Sequence, residues 1–218
     1  MAQIFRPWAN SAARLLLASL AALPVLLVGL GYQMMRSSYV TGEGVTREQP
    51  IPFSHAHHVG GLGIDCRYCH GAVEKARFAG LPPTETCMTC HSQIWTNAEM
   101  LAPVRASLAE QRPLRWRRVN NLPGYVYFDH SVHVTNGVGC ATCHGRVDRM
   151  PLMRQAAPLT MSWCLDCHRF PQPHLRPRSA VFDMGWTPPK DQDARGQDLL
   201  RRYHINLTGL TDCSTCHR

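Results

Sequence analysis

No cysteine in this 218-residue chain stands outside a Cys-x-x-Cys-His motif. That excludes a disulfide framework, which has no reason to place a histidine directly after every second cysteine. Structural zinc is excluded as well, because such sites pair a Cys-x2-4-Cys with a second, distant pair and space their histidines differently. Long segments of helical or strand periodicity are scarce too, beside 16 glycines and 16 prolines. A fold built on a large apolar core is therefore not expected. No motif carries lysine in place of its histidine, which removes one mark of a haem enzyme with an open iron site.

What is present is the attachment signature of c-type haem, repeated along the chain. In chain order the sites are Cys66-x-x-Cys69-His70, Cys87-x-x-Cys90-His91, Cys140-x-x-Cys143-His144, Cys164-x-x-Cys167-His168 and Cys213-x-x-Cys216-His217. Each thiol pair adds to the haem vinyl groups as thioethers, and the adjoining histidine is carried beneath the ring as the proximal iron ligand. The expectation is five covalently attached haem c groups. Roughly 180 residues outside the N-terminal segment then serve five haems, about 36 each, too few to bury much surface alone. The macrocycles must form much of the core, giving a mostly irregular and α-helical fold with little β-structure. Folding should be coupled to cofactor, as in small metal domains.

Residues Leu15–Tyr32 carry no charge, and apolar character continues to Met35. About 21 such residues suffice for one helix across a bilayer core, and membrane helices tolerate an internal proline such as Pro24. Arg6 and Arg14 precede the run, so the positive-inside rule puts the N-terminus in the cytoplasm and everything after Arg36 outside. No small-x-small cleavage site follows, so the segment reads as an uncleaved single-pass anchor in a bacterial inner membrane. The haem-bearing part then lies on the oxidising, periplasmic side. The formal charge of +8 falls to about +3 once five oxidised haems with their propionates are counted. The cluster Arg112, Arg115, Arg117 and Arg118 thus reads as propionate partners, and no nucleic-acid role is expected.

The chain also repeats itself. Phe53-x-His55-x-x-His58-Val59 leads to the first site, and Phe128-x-His130-x-x-His133-Val134 leads to the third, with one residue of difference in the connecting length. Each is followed by another site, so the pattern reads as a duplicated two-haem unit. The expected organisation is an N-terminal stub and anchor (1–40), a first two-haem module (41–96), a spacer helix and linker (97–127), a second module (128–175) and a tail with the fifth site (176–218). For the spacer, Leu101, Val104 and Leu108 mark one helical face, with Asn97 as its cap and Pro113 as its stop.

The Phe-x-His-x-x-His approach to Cys-x-x-Cys-His resembles the haem modules of the cytochrome c3 and c7 families. By that resemblance the two histidines are distal ligands to different irons. His55 and His130 would serve the haems held by His70 and His144, and His58 and His133 those held by His91 and His168. His204, nine residues before Cys213, would take the fifth. Met161 is a rival on the fourth haem, where a thioether would raise the potential. His57 and His174 remain as further alternatives.

Over nearly its whole length the chain also resembles the membrane-anchored pentahaem subunit of alternative complex III. The residues that carry the likeness are RPLRWRRVNNLPGYVYFDHSVHV (112–134), GCATCHG (139–145) and APLTMSWCLDCHR (157–169). The resemblance implies electron transfer in a quinol-oxidising respiratory or photosynthetic complex. It implies an iron–sulfur and molybdoenzyme-like subunit, polytopic quinol-binding subunits and a monohaem cytochrome as partners, and a periplasmic cytochrome or haem–copper oxidase as acceptor. No catalysis is expected of the isolated chain. Two other readings stay open: a multihaem reductase with an open iron site, and a relative of the anchored tetrahaem quinol dehydrogenases. The latter carry a methionine soon after the first motif, where Gly71, Ala72 and Val73 stand here.

Overall fold

The computed structural model describes residues 4–217 and divides between Gly42 and Glu43 into two compact units. The first is dominated by one helix, Ala9–Arg36, long and apolar enough to cross a membrane. Its 28 residues span about 42 Å at 1.5 Å per residue, more than the roughly 30 Å of a bilayer core. The helix begins six residues before the uncharged run Leu15–Tyr32, because Arg14 ends that run by its charge yet, like Ala9, Ala12 and Ala13, is a good helix former. Pro24 lies inside it.

The second unit is helical and irregular. No strand occurs among the described residues, only isolated bridges such as Glu43↔Gln155 and Val138↔Leu175. Every Cys-x-x-Cys occupies a helical turn: Cys66–Cys69, Cys140–His144 and Cys213–Cys216 as short helices, and the other two inside Thr84–His91 and Met161–Arg169. An i,i+3 spacing on a helix brings both thiols to one face. Asp65 and Thr160 cap two of these turns by accepting from Arg67 N and Trp163 N. Fully buried apolar side chains are few and include Val104, Leu175 and Val181; a cluster of Val73, Val134 and Val181 joins both repeats to the tail.

The spacer departs from the sequence reading. Its helix is Ala102–Ala109, preceded by a 3-10 turn at Glu99–Leu101, and Leu101 rather than Asn97 is the cap residue. Pro103 explains the later start, since proline suits a helix's first turn, where its missing N–H has no partner to lose. Arg105 reaches back to the carbonyls of Thr96 and Ala98 and holds the preceding loop. The helix ends before Pro113, where Gln111 takes a left-handed φ of 53°. It is fixed to the second site by a buried Thr84–Ser107 hydroxyl pair 2.6 Å apart.

Two glycines set close approaches between elements. Gly60, in the first repeat, faces the Asp148 carbonyl after the third site, and Gly196, in the helix Gln192–Arg202, faces the Gln172 backbone. A Cβ at either would run into backbone rather than a mobile side-chain end. Gly196→Ala should therefore destabilise the holoprotein by about 1–3 kcal/mol, an overpacking cost, despite alanine's better helix propensity. Gly185→Ala, whose Cβ meets only ordinary contacts, should change little; thermal unfolding followed in the far ultraviolet checks both.

Candidate haem-ligand sites

The two Phe-x-His-x-x-His segments fold differently yet present the same geometry. His130 opens an α-helix, His130–Thr135, whereas His55 precedes a π-helical turn, Ala56–Gly61. His58 is eight residues from Cys66, and His133 seven from Cys140. A π-turn accommodates one extra residue, and so the longer connection reaches its motif from the same starting geometry. Phe53 meets His55 edge-on at 4.9 Å and stacks on His58 at 4.4 Å. Phe128 meets His130 at 4.8 Å and His133 at 4.5 Å in the same two ways. One phenyl ring thus fixes the planes of two imidazoles in each repeat, contacts worth about 0.5–1.5 kcal/mol beyond the area they bury.

Three of these histidines face motif histidines. The ring centres of His58 and His91 are 6.2 Å apart, those of His130 and His144 6.3 Å, and those of His133 and His168 6.1 Å. An imidazole nitrogen lies about 2.0–2.1 Å from a coordinated metal and about 1.1 Å from its ring centre, so two imidazoles trans on one metal hold their centres about 6.2–6.4 Å apart. The fit is close in all three pairs.

Hydrogen bonding selects the tautomer that coordination needs. Nδ1 of His58, His130, His133, His70, His91 and His168 donates to the carbonyls of Ser54, Arg77, Asp129, Gly80, Ile94 and Leu210. A carbonyl can only accept, so Nδ1 carries the proton and Nε2 keeps a free lone pair for a metal. Burial first, with neighbouring histidines second, lowers His55 and His144 to about 4, so both are neutral at physiological pH. These residues fit haem iron as a partner.

The other expected ligands are placed less directly. His70 is among the groups that depress His55, after burial, but no ring contact joins the two; Nδ1 of His55 is buried without a hydrogen-bond partner. His204 is exposed, at φ 55°, and no ring contact brings it to His217 among the described residues. The ring beside His217 is Tyr125, at 5.8 Å. Met161 is 61% exposed at the start of its helix, while His133 faces His168. His57 is exposed and stacks on Trp95 at 6.3 Å, and His174 lies in a 3-10 turn, its pKa lowered by burial.

No disulfide joins any of the ten cysteines, and several lie close enough to those of another site to raise their pKa. Burial, then Cys66, pushes Cys140 up to about 11. Burial, then Cys167 and Cys164, pushes Cys143 up to about 12. Cys69 is raised by burial and then by Cys87, and Cys164 by burial and then by Cys216. The Tyr68 and Thr89 hydroxyls bond at 2.8 Å between the first two sites, and His168 Nδ1 donates to Leu210 near the fifth. The sites therefore neighbour one another in the order second, first, third, fourth, fifth. Neither this order nor the clamping by Phe53 and Phe128 is legible in the sequence, although both phenylalanines stand in the repeated motif.

No protein-family model matches the chain. It is 36% identical over 99 residues, 45% of its length, to the multihaem cytochrome c subunit of menaquinone reductase from Nitratidesulfovibrio vulgaris. The match spans 46% of that relative's length. With the motif chemistry, this similarity supports a helical and irregular multihaem cytochrome c with covalently bound haem c and one N-terminal apolar helix.

The ring planes generate a spectroscopic prediction. They are 4° apart for His130 and His144 but 66° apart for His58 and His91. Near-parallel axial imidazoles lift the degeneracy of the iron d orbitals, and crossed ones leave it nearly intact. Electron paramagnetic resonance of the oxidised protein should therefore show both a rhombic low-spin signal and a strongly anisotropic one; a single class of signal would contradict this geometry.

Proposed function

We propose that this chain carries five haems and relays electrons within a quinol-linked membrane complex of the alternative complex III type. Its haem-bearing unit would face the periplasm, taking electrons from a quinol-oxidising assembly and passing them to a periplasmic cytochrome or haem–copper oxidase. The observation that carries the reading is that successive sites are linked: second to first through Tyr68 and Thr89, first to third through the Val73–Val134 cluster, third to fourth through His130 and His133 on one helix, and fourth to fifth through His168 and Leu210. His70, His91, His144, His168 and His217 would hold the irons from one side, and His55, His58, His130 and His133 four of them from the other. His204 is proposed for the fifth on sequence grounds. Bound haem supplies a one-electron Fe(III)/Fe(II) couple. These histidines would hold iron from both sides and so leave substrate no place to bind, while Phe53 and Phe128 would fix the planes of the His55, His58, His130 and His133 rings. The ends of the series, the second and fifth sites, are where electrons would enter and leave.

The similarity to a menaquinone reductase subunit favours a second reading, with the same relay run toward quinone. The two differ in a measurable way. In the intact complex, menaquinol should reduce these haems and a soluble cytochrome or oxidase reoxidise them. Haems that stay oxidised with menaquinol, yet once reduced are reoxidised by menaquinone, would favour the second reading.

Ligand variants test the site assignment itself. His58→Ala and His130→Ala should each convert one low-spin haem to high-spin, while His57→Ala leaves the spectrum unchanged. Unaltered spectra in both of the first two would remove the assignment.

A further inference from the structure

One motif histidine is held unlike three of its counterparts. Where His70, His91 and His168 donate to backbone carbonyls, Nδ1 of His144 faces the side-chain amide of Asn120 at 3.1 Å. Backbone acceptors cannot be altered by substitution; this one can. Asn120 belongs to the segment Trp116-x-Arg118-Val119-x-x-Leu122-Pro123, whose purpose the ligand assignments leave unexplained. The segment is held from outside by Gln49, which donates to the Arg117 carbonyl and accepts from Arg117 N, both at 2.9 Å.

The amide as placed directs Nδ2 at His144 and leaves its buried Oδ1 without a donor. A half-turn of the amide exchanges its oxygen and nitrogen without moving the backbone. An imidazole that binds metal through Nε2 carries its proton on Nδ1 and must donate it. Turning the amide gives Oδ1 that proton, and Nδ2 takes the place where the oxygen met no donor.

We propose that Asn120 is a positioning residue for His144, accepting its Nδ1 proton through Oδ1 and thereby setting the reduction potential of the haem His144 would carry. The proposal rests on His144 being an iron ligand. A stronger acceptor makes the imidazole a better electron donor and favours Fe(III); removing the acceptor favours Fe(II). The third site lies between the first and fourth in the neighbour order, so its potential bears on transfer in both directions along the series.

The test is a redox titration of purified holoprotein, followed through the rhombic resonance expected of the near-parallel His130–His144 pair. Asn120→Asp should shift that haem's reduction equilibrium about tenfold toward Fe(III), and Asn120→Leu about tenfold toward Fe(II), or ~59 mV each for one electron. Opposite shifts support the proposal, because a merely structural loss would move both variants the same way. Equal shifts, or none, overturn it. If Asn120→Leu yields no holoprotein, the Asn120→Asp shift alone decides, downward supporting and absent or upward overturning. If neither matures, nuclear magnetic resonance of the unaltered 15N-labelled protein decides: an exchange-protected His144 Nδ1 proton supports the bond, and a freely exchanging one overturns it. A wild-type protein without the rhombic signal would instead refute His144 ligation, a failure distinct from an unshifted potential.

Discussion

Two imidazoles held apart by the span of two metal–nitrogen bonds is the constraint on which the haem-bearing unit depends. Pairs at 6.1–6.3 Å need backbone on both sides fixed to a few tenths of an ångström, with few buried aliphatic side chains to do it. The chain meets the demand locally. Phenylalanines clamp the His55, His58, His130 and His133 rings, carbonyls engage Nδ1, and helical turns carry the thiols. Because the clamping groups lie within a few residues of the ligands they hold, the arrangement can be repeated along a chain too short to bury an ordinary core.

Long-range contacts then join the repeats into one unit. Arg77, after the first site, donates to the Phe128 and Val126 carbonyls, and its own carbonyl accepts from both the backbone N and Nδ1 of His130. Gly60 lets the first repeat approach Asp148 of the second. The tail returns too: Val181 accepts from Cys140 N, and buried Arg176 packs over Trp186 at 4.3 Å. His130 of one repeat is thus aimed by Arg77 of the other, so the two repeats share the support of one imidazole.

The sequence reveals what covalent chemistry and local geometry dictate. Attachment sites, the repeated histidine pairs, the apolar helix and the scarcity of β-structure all follow from short spacings and composition. Residue-by-residue ligand pairing is a different matter, since it depends on contacts far apart in sequence. His58 and His91 are separated by the whole first site and its short helix Cys66–Cys69, with no periodicity to relate them, and the π-turn at Ala56–Gly61 shows itself in the sequence only as one extra residue. Asn97 has good cap chemistry, yet the spacer helix starts later because Pro103 suits its first turn. Asn120 was invisible because its function lies in a contact with His144, 24 residues away.

The central claim is that facing histidines are paired ligands of single irons. Near-infrared magnetic circular dichroism of the oxidised protein, scaled to haems per chain by intact mass, tests it most directly. The account predicts five haems, with at least the second, third and fourth contributing the charge-transfer intensity of bis-imidazole low-spin iron. Intensity for fewer than three such haems, with the remainder in high-spin or methionine-ligated bands, would contradict it.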